Sequence, residues 1–209
     1  MTMMKTLLFL ALSVPFIQAQ VTAIKAGRLI DPATGRTETN QVIVVEAGKI
    51  KSIGSAVPAG AEVIDLSQLT VLPGLVDAHN HLAITYKKDP ENDVYYLTTV
   101  LDSTAIRAIQ AASNGMQMLN SGFTVVRDLG NAANYADTAL RVAIDQGWLP
   151  GPTIINSGII IGGMGGQFFP VPERESLVYP EYLDADTPDE IVKAVRKNIL
   201  YGADRKSVV

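Results

Sequence analysis

The chain has 209 residues, 47% of them apolar and 18% charged, with a formal net charge of −4 and no cysteine. That balance suits one or two packed domains and excludes a disordered chain. The acidic charge, with no cluster of lysine or arginine, excludes the electrostatic footprint of a nucleic-acid binder. The missing thiols take cysteine off any list of metal ligands.

Residues 1–19 read as a secretory signal peptide: Lys5 gives a short positive start, 7–14 an apolar run, and Ala19 a small residue at the cleavage point. The apolar run falls short of the about 20 residues that a bilayer span needs, so no stable membrane anchor is expected. An exported protein, periplasmic or secreted, follows from this reading, and the absence of cysteine is compatible with an oxidising compartment.

Residues 20–72 carry the pattern of short strands joined by turns. Segments 22–26 and 28–30 lead into Asp31-Pro-Ala-Thr-Gly35, where proline fixes one φ and glycine frees another. Segments 41–45 and 49–53 flank Ala47-Gly48, a hairpin signal, and 62–65 adds a further strand. A module of this size is too small for a comfortable core of its own.

After Pro73-Gly74 the rhythm becomes strand, helix, strand, helix. A first, buried strand is expected to approach His79 and His81 through Leu75 and Val76, followed by a polar loop over 87–93. A helix then places Ile106, Ile109, Ala112, Met116 and Leu119 on its inner face at the 3.6-residue period. Gly122 stops it, and 123–126 reads as a buried strand. Residues 134–146 form a second helix, and 153–161 a third strand. Thr187-Pro-Asp-Glu190 opens a third helix with a capping box, and Ile191, Val195 and Ile199 are its expected inner face. Alternating β and α elements imply a parallel sheet with crossover helices. The 162–187 stretch is long for a βα loop, which makes it a candidate lid or specificity segment.

The chain's two histidines, His79 and His81, stand one residue apart. Side chains at i and i+2 of a strand share a face, so two imidazoles can converge on one metal ion. In a β/α barrel, functional residues sit at the C-terminal ends of strands, where this pair falls. By the same alternation Asp77 shares their face, in a supporting or packing role. Arg127 and Asp128, at the end of the second strand, read as a charged pair that orders the strand end and the loop after it.

The stretch Val71-Leu-Pro-Gly-Leu-Val-Asp-Ala-His-Asn-His-Leu82, after a small β-module and at the head of a βα series, closely resembles the signature of the amidohydrolase superfamily. Gly122-Phe-Thr-Val-Val-Arg-Asp-Leu-Gly130 and Gly151-Pro-Thr-Ile-Ile-Asn-Ser-Gly158 resemble the second and third strands of its imidazolonepropionase-like and Xaa-Pro dipeptidase-like branch. Many members of that branch follow with a Gly-Gly-His-Gly loop whose histidine touches substrate. Here the loop reads Gly162-Gly-Met-Gly-Gly-Gln-Phe168, leaving Gln167 as a neutral substrate-binding candidate that cannot titrate.

The resemblance implies an α/β fold: an N-terminal β-sandwich module (20–72, incomplete) followed by the first three βα units of a TIM (β/α)8 barrel (73–204), truncated. It implies His79 and His81 as metal ligands, and a divalent metal, zinc first, as one or two ions. The implied reaction is hydrolysis of a C–N bond in an amide, cyclic amide or peptide-like small molecule by a metal-bound hydroxide. It also implies a carboxylated lysine on strand four, histidines on strands five and six and an aspartate on strand eight. No histidine follows His81, and Ser207 stands where the lysine would be. Lys206 is one residue off and faces the other side of a strand. The segment from Leu75 is also shorter than the about 250 residues of a full barrel. The expectation is therefore an inactive N-terminal fragment of a metal-dependent amidohydrolase, with 205–209 a non-native tail. The alternative is a short, non-catalytic βα binding protein.

Overall fold

The computed structural model describes residues 20–84, 101–130, 133–164 and 182–204. Residues 1–19, read above as a signal peptide, the 87–93 segment, Gln167, Lys206 and Ser207 lie outside the described residues. The chain divides into two compact units, 1–73 and 74–209.

The first unit is a four-stranded sheet in the order β3-β2-β1-β4, built from β1 (Val21–Asp31), β2 (Arg36–Glu46), β3 (Lys49–Gly54) and β4 (Glu62–Val71). β1 and β2 are antiparallel around the Asp31 turn, where Gly35 N–H donates to Asp31 O at 2.8 Å and the Asp31 carboxylate accepts from Ala33 N–H and the Thr34 hydroxyl. β2 and β3 meet at Ala47-Gly48, both at positive φ as a tight two-residue hairpin requires. β4 returns parallel to β1. Ala23, Val42 and Val44 form the small core, with Val21 and Ala61 against it.

In the second unit β5 (Leu75–Asn80), β6 (Phe123–Asp128) and β7 (Thr153–Asn156) make a parallel sheet in sequence order. The crossover between β6 and β7 carries α2 (Ala136–Asp145), and α1 (Thr104–Asn120) precedes β6. One core unites sheet and helices: Leu82, Ala83, Ala111, Val126, Ala133, Ala136, Leu140 and Ile154. Each large aliphatic buried there stabilises the unit by about 1.5–3 kcal/mol. α3 (Pro188–Leu200) starts at the expected capping box, with Thr187 and Glu190 bonding reciprocally.

Four expectations need correction. The 153–161 strand is broken: after Asn156 the chain turns at Gly158, φ +76°, and β8 (Ile160–Gly162) pairs in parallel with β9 (Tyr182–Asp184) as a separate two-stranded sheet. Part of the long 162–187 stretch is thus a strand. α1 does not seat its isoleucines, since Ile109 is 67% exposed. Its buried stripe is Arg107, Ala111 and Gly115, where small residues let the helix come close and the arginine reaches the backbone carbonyl of Ala83. On α3 the buried positions are Ala194 and Asn198, while Ile191 and Ile199 are exposed, because Asn198 is drawn in by backbone partners. Finally, β5 is not a buried strand. It pairs only with β6 among the described residues, and Val76 is 63% exposed.

Candidate metal site at the C-terminal ends of the parallel strands

His79 lies in β5 and His81 is the first residue beyond it. Their ring centroids are 5.2 Å apart and the rings nearly perpendicular, so the i, i+2 spacing does bring the imidazoles together. His79 is exposed and His81 half-buried. His81 Nδ1 stands 3.1 Å from the carbonyl oxygen of Gly130, beyond the end of β6. A carbonyl only accepts, so in the neutral ring Nδ1 carries the proton and Nε2 keeps its lone pair. Gly130 is required at this spot. Its φ is +137°, and a Cβ there would lie 2.5 Å from Ile160 Cγ1.

The turn after His81 is gripped on several sides. Asp128 Oδ2 accepts from Leu82 N–H at 3.1 Å, Asn114 Nδ2 donates to Leu82 O at 2.8 Å, and Arg107 Nε to Ala83 O at 3.4 Å. Ile84 N–H closes the turn on His81 O. Asp128 is fully buried, and burial, then the charge of Asp137, push its carboxyl well above the usual carboxylate range. Its other oxygen, Oδ1, has no hydrogen-bond partner among the described residues. Asp77 supports the same strand: its carboxylate accepts from His79 N–H at 3.1 Å and Asn80 Nδ2 at 2.7 Å.

The ends of β6 and β7 are tied in turn. Ser157 N–H donates to Asp128 O at 3.0 Å, and buried Asn156 donates to Thr138 Oγ1 at 2.7 Å. Asp137, at the start of α2, accepts from Gly158 N–H at 3.3 Å. Asn198 reaches across from α3 to donate to Ile159 O and accept from Ile159 N–H and Tyr135 OH. Burial, with Tyr201 and Asp137 nearby, pushes the Tyr135 hydroxyl up to about 12, so it stays a donor at neutral pH.

Two neighbouring imidazoles are a donor set that zinc, copper, iron and nickel all accept. A catalytic zinc takes three protein ligands. Among the described residues no group of three or more His, Asp or Glu is placed to hold a metal. The described residues thus offer two imidazoles, one short of the three protein ligands of such a site.

A sequence profile described as the amidohydrolase family matches residues 70–208, the βα unit and the His-x-His strand included. The chain belongs to the amidohydrolase family. Among curated amidohydrolase relatives, the dihydroorotase of Geotalea daltonii is 49% identical over 71 residues, which are 32% of this chain and 16% of that enzyme. The dihydroorotase of Pelotomaculum thermopropionicum is 36% identical over 121 residues, 57% of this chain and 24% of that enzyme. Among solved structures, a Xaa-Pro dipeptidase with methionine bound in its active site superposes with a TM-score of 0.70 at 29% identity, over 88% of this chain and 46% of that one. The chain thus spans less than half the length of the proteins it matches. Amidohydrolases are typically metal-dependent, in keeping with the donor pair.

Within this amidohydrolase, the expected Arg127–Asp128 pair does not exist. Adjacent strand residues face opposite sides, and no bond joins the two. Asp128 alone orders the strand end, through the backbone of Leu82. Asn114, Asp137, Asn156 and Asn198 went unnoticed in the sequence. One signal was present: β6 and β7 each close on a small polar residue, Asp128 and Asn156, and the two are paired in register.

Proposed function

We propose that the protein is a metal-dependent hydrolase of C–N bonds, with His79 and His81 as two ligands of a divalent metal, zinc first. The substrate class is a small cyclic amide or a dipeptide-like molecule, the two chemistries of the dihydroorotases and the Xaa-Pro dipeptidase that the chain resembles. One observation carries the reading: two imidazoles 5.2 Å apart at the C-terminal ends of parallel strands, one of them held by a backbone carbonyl in the tautomer that leaves Nε2 free.

Zinc, when bound, would activate water for attack on an amide carbonyl. The chain's own part is to present the two rings and fix their orientation. The barrel frame over 73–204 and a β-sandwich completed around 20–72 belong to the same reading, as does export directed by residues 1–19. No helix among the described residues is long and apolar enough to cross a membrane.

Calorimetric zinc titration tests the ligand assignment. One ion per chain is expected, with affinity falling at least tenfold in His79→Ala and in His81→Ala. Any cleavage of dihydroorotate or of an Xaa-Pro dipeptide is expected to stop on chelation and in either variant. Zinc binding untouched by both substitutions, or cleavage that survives them, would overturn the reading.

A further inference from the structure

The peptide groups around Leu82 are held from opposite directions by two side chains that come from different elements. Asp128, at the end of β6, takes the Leu82 N–H; Asn114, on α1, gives a hydrogen bond to the Leu82 carbonyl. Leu82 directly follows His81 in sequence, and its own side chain is fully buried. Between them they fix both peptide planes adjoining the residue after the histidine. The ring itself is then docked on Gly130 O, a residue two positions beyond Asp128. Asp128 therefore sits at the junction of both holds on His81.

We propose that Asp128 and Asn114 are positioning residues for His81, which lock the Leu82 backbone so that the imidazole stays on the Gly130 carbonyl as the Nδ1–H tautomer. This rests on the reading of His81 as a metal ligand only for its consequence; the tautomer itself is set whether or not metal binds. Hydrogen-bond partners that orient a ligating histidine are worth about 10–100-fold in metal affinity. Asn114 is on an ordinary helix surface and half-buried, so its substitution perturbs the hold without emptying the core.

The chain holds just two histidines, so the imidazole nitrogen resonances of the 209-residue protein report each ring directly. In the unsubstituted protein His81 is expected to show one tautomer, with Nδ1 protonated. Asn114→Asp removes the donor to Leu82 O and sets a carboxylate beside a carbonyl. It should give a mixture of tautomers and weaken zinc at least tenfold. Asp128→Leu should do the same, whereas Asp128→Asn keeps an acceptor for Leu82 N–H and should hold the tautomer. If the unsubstituted protein binds no zinc but Asn114→Asp still mixes the tautomers, the metal reading fails and the positioning role stands. An unchanged His81 tautomer in Asn114→Asp would overturn the positioning role, as would Asp128→Asn as disordered at His81 as Asp128→Leu.

Discussion

The two ends of the parallel sheet are built differently. At the N-terminal end, Leu75 and Val76 of β5 are exposed, and one backbone bond, Leu75 N–H to Gly122 O, ties β5 to the turn before β6. At the C-terminal end, Asp128 and Asn156 are fully buried, and side chains from α1, α2 and α3 bond to the backbone of the loops that leave the strands. Burying polar groups is costly unless they are paired, so a cluster of them marks where the chain needs a unique arrangement rather than mere compactness. That end carries the histidines.

Substitutions can break this contrast. The largest effect is expected at Asn198: alanine there strands both polar groups of Ile159 and the Tyr135 hydroxyl, at a cost of about 3 kcal/mol by chemical denaturation. A cost near that of an exposed site would show the C-terminal cluster to be decoration. Next, Gly130→Ala sets a Cβ against Ile160 at positive φ, while in Gly122→Ala, also at positive φ but in the turn before β6, the Cβ meets nothing within 4 Å. The first is expected to lose roughly 2 kcal/mol more than the second.

Asp128 makes the contrast pH-dependent. Its carboxyl titrates higher in the folded protein than in the unfolded chain, so the unfolded chain releases its proton first. Stability contributed by this group is therefore fully present below the ordinary carboxylate range and declines as pH rises toward the raised folded value. Asp128→Asn has no proton to lose, so its urea midpoint should gain on the parent's between mildly acidic and neutral pH. Parallel midpoints across that range would show that burial does not shift the group. The smallest effect belongs to the other end: Val76→Thr, at an exposed position, should change stability by less than about 0.5 kcal/mol.

Much of this was legible in the sequence. Turn chemistry marked the Asp31 and Ala47-Gly48 turns, the capping box marked the start of α3, and the i, i+2 rule brought His79 and His81 together. Periodicity failed on the helices, because it assumes that the greasiest face is the buried one. On α1 and α3 the seated stripes are small or polar, Ala111 with Gly115 and Ala194 with Asn198, and their partners are distant in sequence: Gly115 faces Leu140 and Pro152, and Asn198 bonds the backbone of Ile159. No local pattern encodes such a partner. The break in the third strand was hidden for a related reason: Ile159-Ile-Ile161 continues the apolar run after Gly158, and the turn shows in the positive φ of Gly158 and in its N–H donating to Asp137.

The account depends most on His79 and His81 sharing one metal ion. X-ray absorption at the zinc edge counts imidazole ligands directly, at the Zn–N distance of about 2.0–2.1 Å expected for histidine. Two imidazoles per zinc are expected in the loaded protein, and one in His79→Ala or His81→Ala. A spectrum with no imidazole scattering, or one that neither substitution alters, would contradict it.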